Sequence, residues 1–99
     1  MERNNDDRLI RAITHKGRAQ MLHLLLKQDS NISQLARLTK LDRATVAYHL
    51  GILEYTKLVT SDYKMLQEPH SMGKIGRYYS INKTQLRKAI KILHAIKLE

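Results

Sequence analysis

The sequence predicts a mainly α-helical protein with one small β-hairpin, an α+β fold, as a single domain over residues 1–99. Apolar residues recur at helical spacing through most of the chain. Residues 58–66 and 77–81 instead alternate with a period of two and are rich in Val, Thr, Tyr and Ile, which indicates two strands. The chain has no Phe and no Trp, so Leu, Ile, Val, Met and Ala must form the core, which favours helices over a β-sandwich.

The charge balance points to an anionic partner. The 99 residues carry 18 Lys and Arg against nine Asp and Glu, a net charge of +9, and most of the excess lies after residue 55. An uneven basic surface is typical of nucleic-acid-binding domains, although it also suits a plain solvated surface. There is no cysteine, which excludes disulfides, thiolate metal sites and a cysteine nucleophile. With no apolar run long enough to span a membrane and no signal-peptide pattern, we expect a soluble, cytoplasmic protein.

The first third of the chain predicts two helices. The first begins near Asp6, after a frayed start at residues 1–5. Gly17 is expected to separate it from a second helix, which ends near Gln28 before a turn at residues 29–31. The apolar stripes are Leu9, Ile10 and Ile13 in the first helix and Met21, Leu22, Leu25 and Leu26 in the second.

Two short helices in quick succession follow this turn. Ser33 is a candidate N-cap of the first, and residues 39–41 make a three-residue connection. Asp42 is the expected N-cap of the second, which should run from about Arg43 to Tyr55. Residues 33–55 therefore predict a helix-turn-helix.

The two strands and a final helix complete the chain. The segment QEPHSMGKIG, with the only proline and two of four glycines, predicts a long hairpin tip between the strands. Asn82, with Gln85 three residues on, predicts the cap of a last helix over about residues 83–97. This order of elements is that of a winged helix-turn-helix, with the wing at about residues 58–81 and the last helix available for dimerisation.

The helix at 43–55 has two different faces. At about 100° per residue, one stripe is apolar and should pack on the preceding helices. That stripe consists of Val46, Leu50 and Leu53. The opposite face is flat and consists of Ala44, Ala47, Tyr48 and Gly51. Small side chains permit close approach to another surface, and a DNA major groove is wide enough for such a helix, although a protein contact would also suit this face.

Several polar residues are candidate DNA contacts. Arg43 suits a guanine edge or a phosphate, Tyr48 a base, sugar or phosphate, and Thr45 a phosphate. In the wing, the candidates for the phosphate backbone or minor groove are Lys64, Lys74 and Arg77, with solvated charges as the alternative. His49 lies nearer the apolar stripe and is predicted to be a partly buried residue that orients the helix by a hydrogen bond.

The stretch VAYHLGILEYTKLV resembles the recognition helix of the ArsR family of prokaryotic winged-helix regulators. The matching positions are Val46, His49, Leu50, Leu53, Leu58 and Val59. Ala47 stands where that family usually has Ser, and Lys57 where it usually has Gly. Upstream, HKGRAQMLHLL is similar to the family's Asp-Pro-x-Arg-x-x-Ile-Leu segment, with Arg18, Met21 and Leu22 in register and the Asp-Pro absent. The resemblance covers about residues 10–96 and implies a dimeric DNA-binding protein.

We therefore predict a homodimeric, sequence-specific regulator of transcription that binds double-stranded DNA. The predicted dimer contacts are Leu9, Ile10, Ile13, Leu86, Ile90, Leu93 and Ile96. No metal or other cofactor is expected, because the cysteines of one family site are absent and the last helix offers only His94 and a terminal Glu99. No residues suggest an enzyme. The alternative function is a winged-helix module that binds protein or RNA without specific duplex recognition.

Overall fold

The computed structural model describes residues 2–66, 70 and 73–95, with side chains from residue 5 onward. In this part of the chain, five helices surround a small antiparallel sheet. The helices are α1 (Glu2–Thr14), α2 (Lys16–Lys27), α3 (Ile32–Thr39), α4 (Arg43–Tyr55) and α5 (Lys83–His94). The strands are β1 (Ser30–Asn31), β2 (Val59–Met65) and β3 (Ile75–Ile81).

The boundary between α1 and α2 lies at His15 and not at Gly17. His15 has an extended backbone, and its Nδ1 atom accepts a hydrogen bond of 3.1 Å from the Gly17 N–H, so His15 caps α2. The prediction of a break at Gly17 was wrong because an imidazole can cap a helix as an Asn side chain does. The start of α1 was also predicted too late, since the helix begins at Glu2.

The segment expected to be a turn before α3 contains a short third strand. Ser30 and Asn31 pair with Tyr79 and Tyr78 of β3, and two residues are too few to show an alternating pattern. Asn31, rather than Ser33, caps α3. Its side chain accepts from the Gln34 N–H at 2.8 Å, and the Gln34 side chain accepts from the Asn31 N–H at 2.9 Å.

The helix-turn-helix follows the prediction closely. α3 ends where Lys40 adopts a left-handed backbone with a φ of 61°. The Asp42 carboxylate accepts a 2.7 Å hydrogen bond from the Thr45 N–H, which confirms Asp42 as the cap of α4. This bond stabilises the carboxylate and lowers the pKa of Asp42. The bounds of α4 are those predicted.

The sheet has the order β1-β3-β2, with β3 in the centre. The hairpin register runs from Val59 opposite Ile81 at the base to Met65 opposite Ile75 at the described end, so β3 begins two residues earlier than predicted. Asn82 caps α5 by accepting from the Gln85 N–H at 3.2 Å, as predicted. Residues 67–69 and 71–72 of the hairpin tip, and residues 96–97 of the predicted last helix, lie outside the described residues.

The core is aliphatic apart from one tyrosine and joins all five helices to the base of the sheet. Its buried apolar residues include Leu9, Met21, Leu22, Leu25, Leu35, Val46, Leu50, Leu53, Leu58, Val59, Tyr79 and Leu86. Leu26 was predicted to be buried but is 52% exposed, because it lies on the outer flank of α2. Within the described residues, every helix is too short or too polar to cross a membrane.

Candidate nucleic-acid interface

The outward face of α4 is exposed along its whole length. Ala44, Ala47, Tyr48 and Gly51 are all exposed, with Tyr48 at 64%. A Cβ atom placed on Gly51 would meet no other atom within 4 Å. On the opposite side, the residues predicted to be core are fully buried: Val46, Leu50 and Leu53. The helix is therefore fixed by one face and presents a flat, small-residue surface with the other.

Arg43 stands at the N-terminal end of this face and is tied to the first helix of the motif. Its Nη1 atom donates a hydrogen bond to the Ser33 hydroxyl, so the side chain predicted to cap α3 instead holds Arg43. An arginine has five N–H donors, and this contact leaves donors for a ligand. Thr45 is half-buried beside it, and its N–H is occupied by Asp42.

Arg18 joins α4 to the two helices that precede the motif. This buried guanidinium donates from Nε to the Ala12 carbonyl at 3.0 Å and from Nη2 to the Arg11 carbonyl at 3.1 Å, at the C-terminal end of α1. From Nη1 it also donates to His49 Nδ1 at 3.2 Å. The prediction of a buried, hydrogen-bonded His49 is confirmed. The sequence did not predict that Arg18 is the hydrogen-bond partner of His49, although both residues are among the positions that resemble the ArsR family.

The surroundings of His49 favour its neutral form. Its burial lowers the pKa, and electrostatic interactions with the His15 and Arg18 side chains lower it further. The His15 ring packs against it with centroids 4.6 Å apart. Gly17 makes room for this pair, because a Cβ there would approach His49 Nε2 to 3.1 Å. Neutral His49 accepts from Arg18 and so holds α4 in one orientation.

The three basic residues predicted as DNA contacts in the wing lie on two faces of it. Lys64 pairs with Gly76 across the hairpin, and the Leu66 N–H donates to the Lys74 carbonyl at 2.8 Å. Because alternate residues of a strand point to the same face of the sheet, Lys64 and Lys74 share one face. Arg77 opposes Tyr63 on the other face. Lys74 is exposed, whereas Lys64 forms a half-exposed ion pair with Asp29 at 3.4 Å.

Arg77 is held by α4 rather than projecting freely from the wing. Its Nη2 atom donates to both carboxylate oxygens of Glu54, at 2.8 and 2.9 Å. Its Nε donates to the Ser61 hydroxyl at 2.9 Å, and that hydroxyl donates to Glu54 at 2.8 Å. This network fixes the angle between the wing and α4, so positioning the wing is the role that the geometry favours for Arg77.

The apolar residues predicted to form a dimer contact differ in exposure. Leu9 and Leu86 are buried where α1 packs on α5 in the same protomer, which leaves them almost no surface for a partner. Ile10 and Ile13 are half-buried. Ile90 and Leu93 expose 43% and 36% of their surface along α5, and Ile96 lies outside the described residues. The sequence could not distinguish the residues buried within the protomer from those exposed on its surface, because the apolar residues of each terminal helix lie side by side.

Potential metal ligands do not gather in the described part of the chain. No group of three His, Asp or Glu side chains there has the geometry to hold an ion. His15 and His49 are close, but His15 Nδ1 accepts from Gly17 and His49 Nδ1 from Arg18. His94 is exposed near the end of α5.

A protein-family model and solved structures both relate this chain to bacterial regulators. The model described as bacterial regulatory protein, arsR family, matches residues 15–61. A homodimeric winged helix-turn-helix DNA-binding domain from Mycobacterium bovis, a possible ArsR-family transcriptional regulator, is 20% identical, with a TM-score of 0.69 over 93% of this chain and 78% of that one. No match was found among curated proteins.

Two further similar structures are HlyU proteins. HlyU from Vibrio cholerae is 24% identical, with a TM-score of 0.68, and the alignment covers 96% of each chain. The transcriptional regulator HlyU from Vibrio vulnificus is 25% identical, with a TM-score of 0.64 over 99% of this chain and 95% of that one. The fold is thus the winged helix-turn-helix of transcriptional regulators. The chain is ArsR-like, which confirms the resemblance carried by residues 46–59.

Proposed function

We propose that the chain is a homodimeric, sequence-specific regulator of transcription that binds double-stranded DNA in the cytoplasm, with α4 in the major groove. The observation that carries this proposal is the exposed face of Ala44, Ala47, Tyr48 and Gly51 on the second helix of the motif. In DNA-binding helix-turn-helix proteins, that helix lies in the major groove with its N-terminal residues at base edges. Arg43 occupies this end of α4.

Two further features support DNA as the partner. The net charge of +9 supplies the general attraction to a polyanion. Exposed Lys74 extends this charge along one face of the wing, at a position suited to a phosphate or the minor groove. The exposed Ile90 and Leu93 provide a surface through which a second protomer can pair about a two-fold axis. The similar Mycobacterium bovis domain is homodimeric.

A competition titration separates this function from its alternatives. Labelled duplex DNA is titrated with the protein at several salt concentrations, with unlabelled duplex DNA or RNA as competitor. The proposal predicts salt-dependent binding that DNA displaces and RNA displaces poorly. Efficient displacement by RNA identifies an RNA-binding module, and an absence of duplex binding even at low salt identifies a protein-interaction module.

A further inference from the structure

A cleft of about 480 Å³ opens where α1 and α5 meet the C-terminal end of α4. Sites for small molecules typically measure roughly 300–1,000 Å³, so the cleft has a suitable size. The residues that line it are polar except for Leu9: Asn5, Arg8, Tyr55, Thr56, Lys57, Gln85 and Lys88. The cleft lies at the opposite end of α4 from Arg43, about 18 Å along the helix, and is therefore separate from the base-reading end proposed above.

Among the residues whose side chains the structure describes, the cleft is lined by three positive side chains and by no acidic ones. Arg8 donates to the Tyr55 hydroxyl at 3.1 Å and lies 5.6 Å from the centre of its ring, contacts that hold the guanidinium without neutralising it. The ion pairs among the described residues lie in or beside the wing. Within that part of the chain, the charges of Arg8, Lys57 and Lys88 are therefore uncompensated, which favours a negatively charged ligand.

Lys57 occupies a backbone position that suits glycine. Its φ is 63°, in the left-handed region, which costs a side-chain-bearing residue roughly 1 kcal/mol and costs glycine almost nothing. The turn is fixed by the backbone, because the Leu58 N–H donates to the Leu53 carbonyl at 2.9 Å. Left-handed non-glycine residues concentrate at functional sites, and here the residue places an ammonium group at the cleft.

Carbonyl groups at the end of α4 would repel an anion, but two of them are already hydrogen-bonded. The Thr56 hydroxyl donates to the Ile52 carbonyl at 2.9 Å, and Gln85 Nε2 donates to the Thr56 carbonyl at 2.9 Å. The second bond orients the Gln85 amide, whose Nε2 carries another N–H. The cleft therefore adds an oriented neutral donor to its three cations.

From this arrangement, we infer that the cleft binds a small anion with two or more negative charges, a phosphate compound or a polycarboxylate. The site does not depend on the proposed DNA binding. Lys88 and Ile90 project about 160° apart around α5, so the cleft lies on a different side of that helix from the Ile90 side chain, although both residues border one open groove along the helix. Nothing in the proposed pairing through Ile90 and Leu93 requires the cleft to be covered.

Calorimetric titration of the full chain, without DNA, tests this inference. The probes are pyrophosphate and citrate in separate titrations at low salt. We expect one anion per chain to bind saturably, and the stronger of the two probes identifies the preferred chemistry. The double variant Arg8→Gln/Lys88→Gln should weaken binding at least about tenfold. The control Lys83→Gln/Arg87→Gln removes the same two charges from exposed sites on α5 outside the cleft and should bind as the wild type does.

Two results would overturn the inference. One is the absence of saturable binding of either probe. The other is an equal loss in the two double variants, which would show a general effect of net charge. If Arg8→Gln/Lys88→Gln fails to fold in a thermal melt, Lys88→Gln alone serves in its place, with an expected severalfold loss of affinity and with Lys83→Gln as its control. Since DNA is absent, failure of the DNA-binding proposal would leave this result unaffected.

Discussion

The Arg18 guanidinium donates a 3.2 Å hydrogen bond to His49 Nδ1 and thereby connects α4 to the C-terminal end of α1. Both side chains are buried, with 8% and 5% of their surface exposed. A buried guanidinium that loses one acceptor leaves an unsatisfied donor, which is costly. This contact is therefore a buried polar restraint on the orientation of α4.

Replacing His49 should separate the hydrogen bond from the packing of the ring. His49→Ala removes both, and we expect it to lower the free energy of unfolding by about 2–4 kcal/mol. In His49→Asn, the side-chain oxygen can take the place of Nδ1 as acceptor for Arg18, so we expect a clearly smaller loss. Urea denaturation at pH 7.5 measures both values. Equal losses in the two variants would show that the Arg18 contact contributes little.

The same pair predicts the direction of the pH dependence. Since the native state holds the pKa of His49 below its ordinary value of 6.5, the unfolded chain binds a proton at higher pH than the native chain does. The contribution of His49 to stability is thus complete above pH 6.5 and declines as the pH falls towards the native pKa. In a denaturation series, His49→Asn should lose less stability than the wild type over this interval. Identical slopes would contradict this assignment.

Gly51 offers a matched pair of substitutions on the face proposed to meet DNA. Because a Cβ there has open space around it, Gly51→Ala should stabilise the protein by up to about 1 kcal/mol through helix propensity. Gly51→Glu should also fold, but its charge would face phosphates and abolish DNA binding. A thermal melt and a binding titration for each variant provide the test. Native DNA affinity in a folded Gly51→Glu protein would rule out this face as the DNA contact.

Lys74 and Arg77 should respond differently to replacement by Ala. Lys74→Ala should weaken binding to all duplexes similarly and lower the salt slope by about one, with no effect on stability. Arg77→Ala should leave the salt slope nearly unchanged and reduce stability by no more than about 1 kcal/mol, because its pair with Glu54 is partly exposed. Equal changes in the two salt slopes would mean that Arg77 leaves Glu54 for a phosphate when DNA binds.

Ile90 tests the proposed dimer without disturbing the core. Because its side chain is exposed, Ile90→Glu should leave the protomer folded, and the charge should separate the protomers and weaken DNA binding. Light scattering at micromolar concentration should give twice the chain mass for the wild type and the single mass for this variant. Gln20→Glu, at an exposed position on α2, is the control and should remain dimeric. A monomeric wild type would contradict the dimer.

The features that the sequence predicted well are those with strong local signals. The length of α4 followed from an Asp cap and a clear apolar stripe, and both appear in the structure. Tertiary context determined what was missed. β1 is two residues long and forms only because β3 lies beside it. Lys64 and Arg77 lie on opposite faces of the wing because of the strand register, which composition does not reveal. The carboxylate that accepts hydrogen bonds from Arg77 belongs to Glu54, 23 residues away in sequence.

The central claim, that two copies of α4 read DNA about a two-fold axis, is tested most directly by selecting bound sequences from random duplexes. The account predicts enrichment of an inverted repeat whose half-site centres lie about one helical turn apart, or a multiple of it. Selection with Gly51→Glu, run in parallel, should enrich nothing. A pool from the wild type with no enriched sequence, or with an enriched site that lacks two-fold symmetry, would contradict the account.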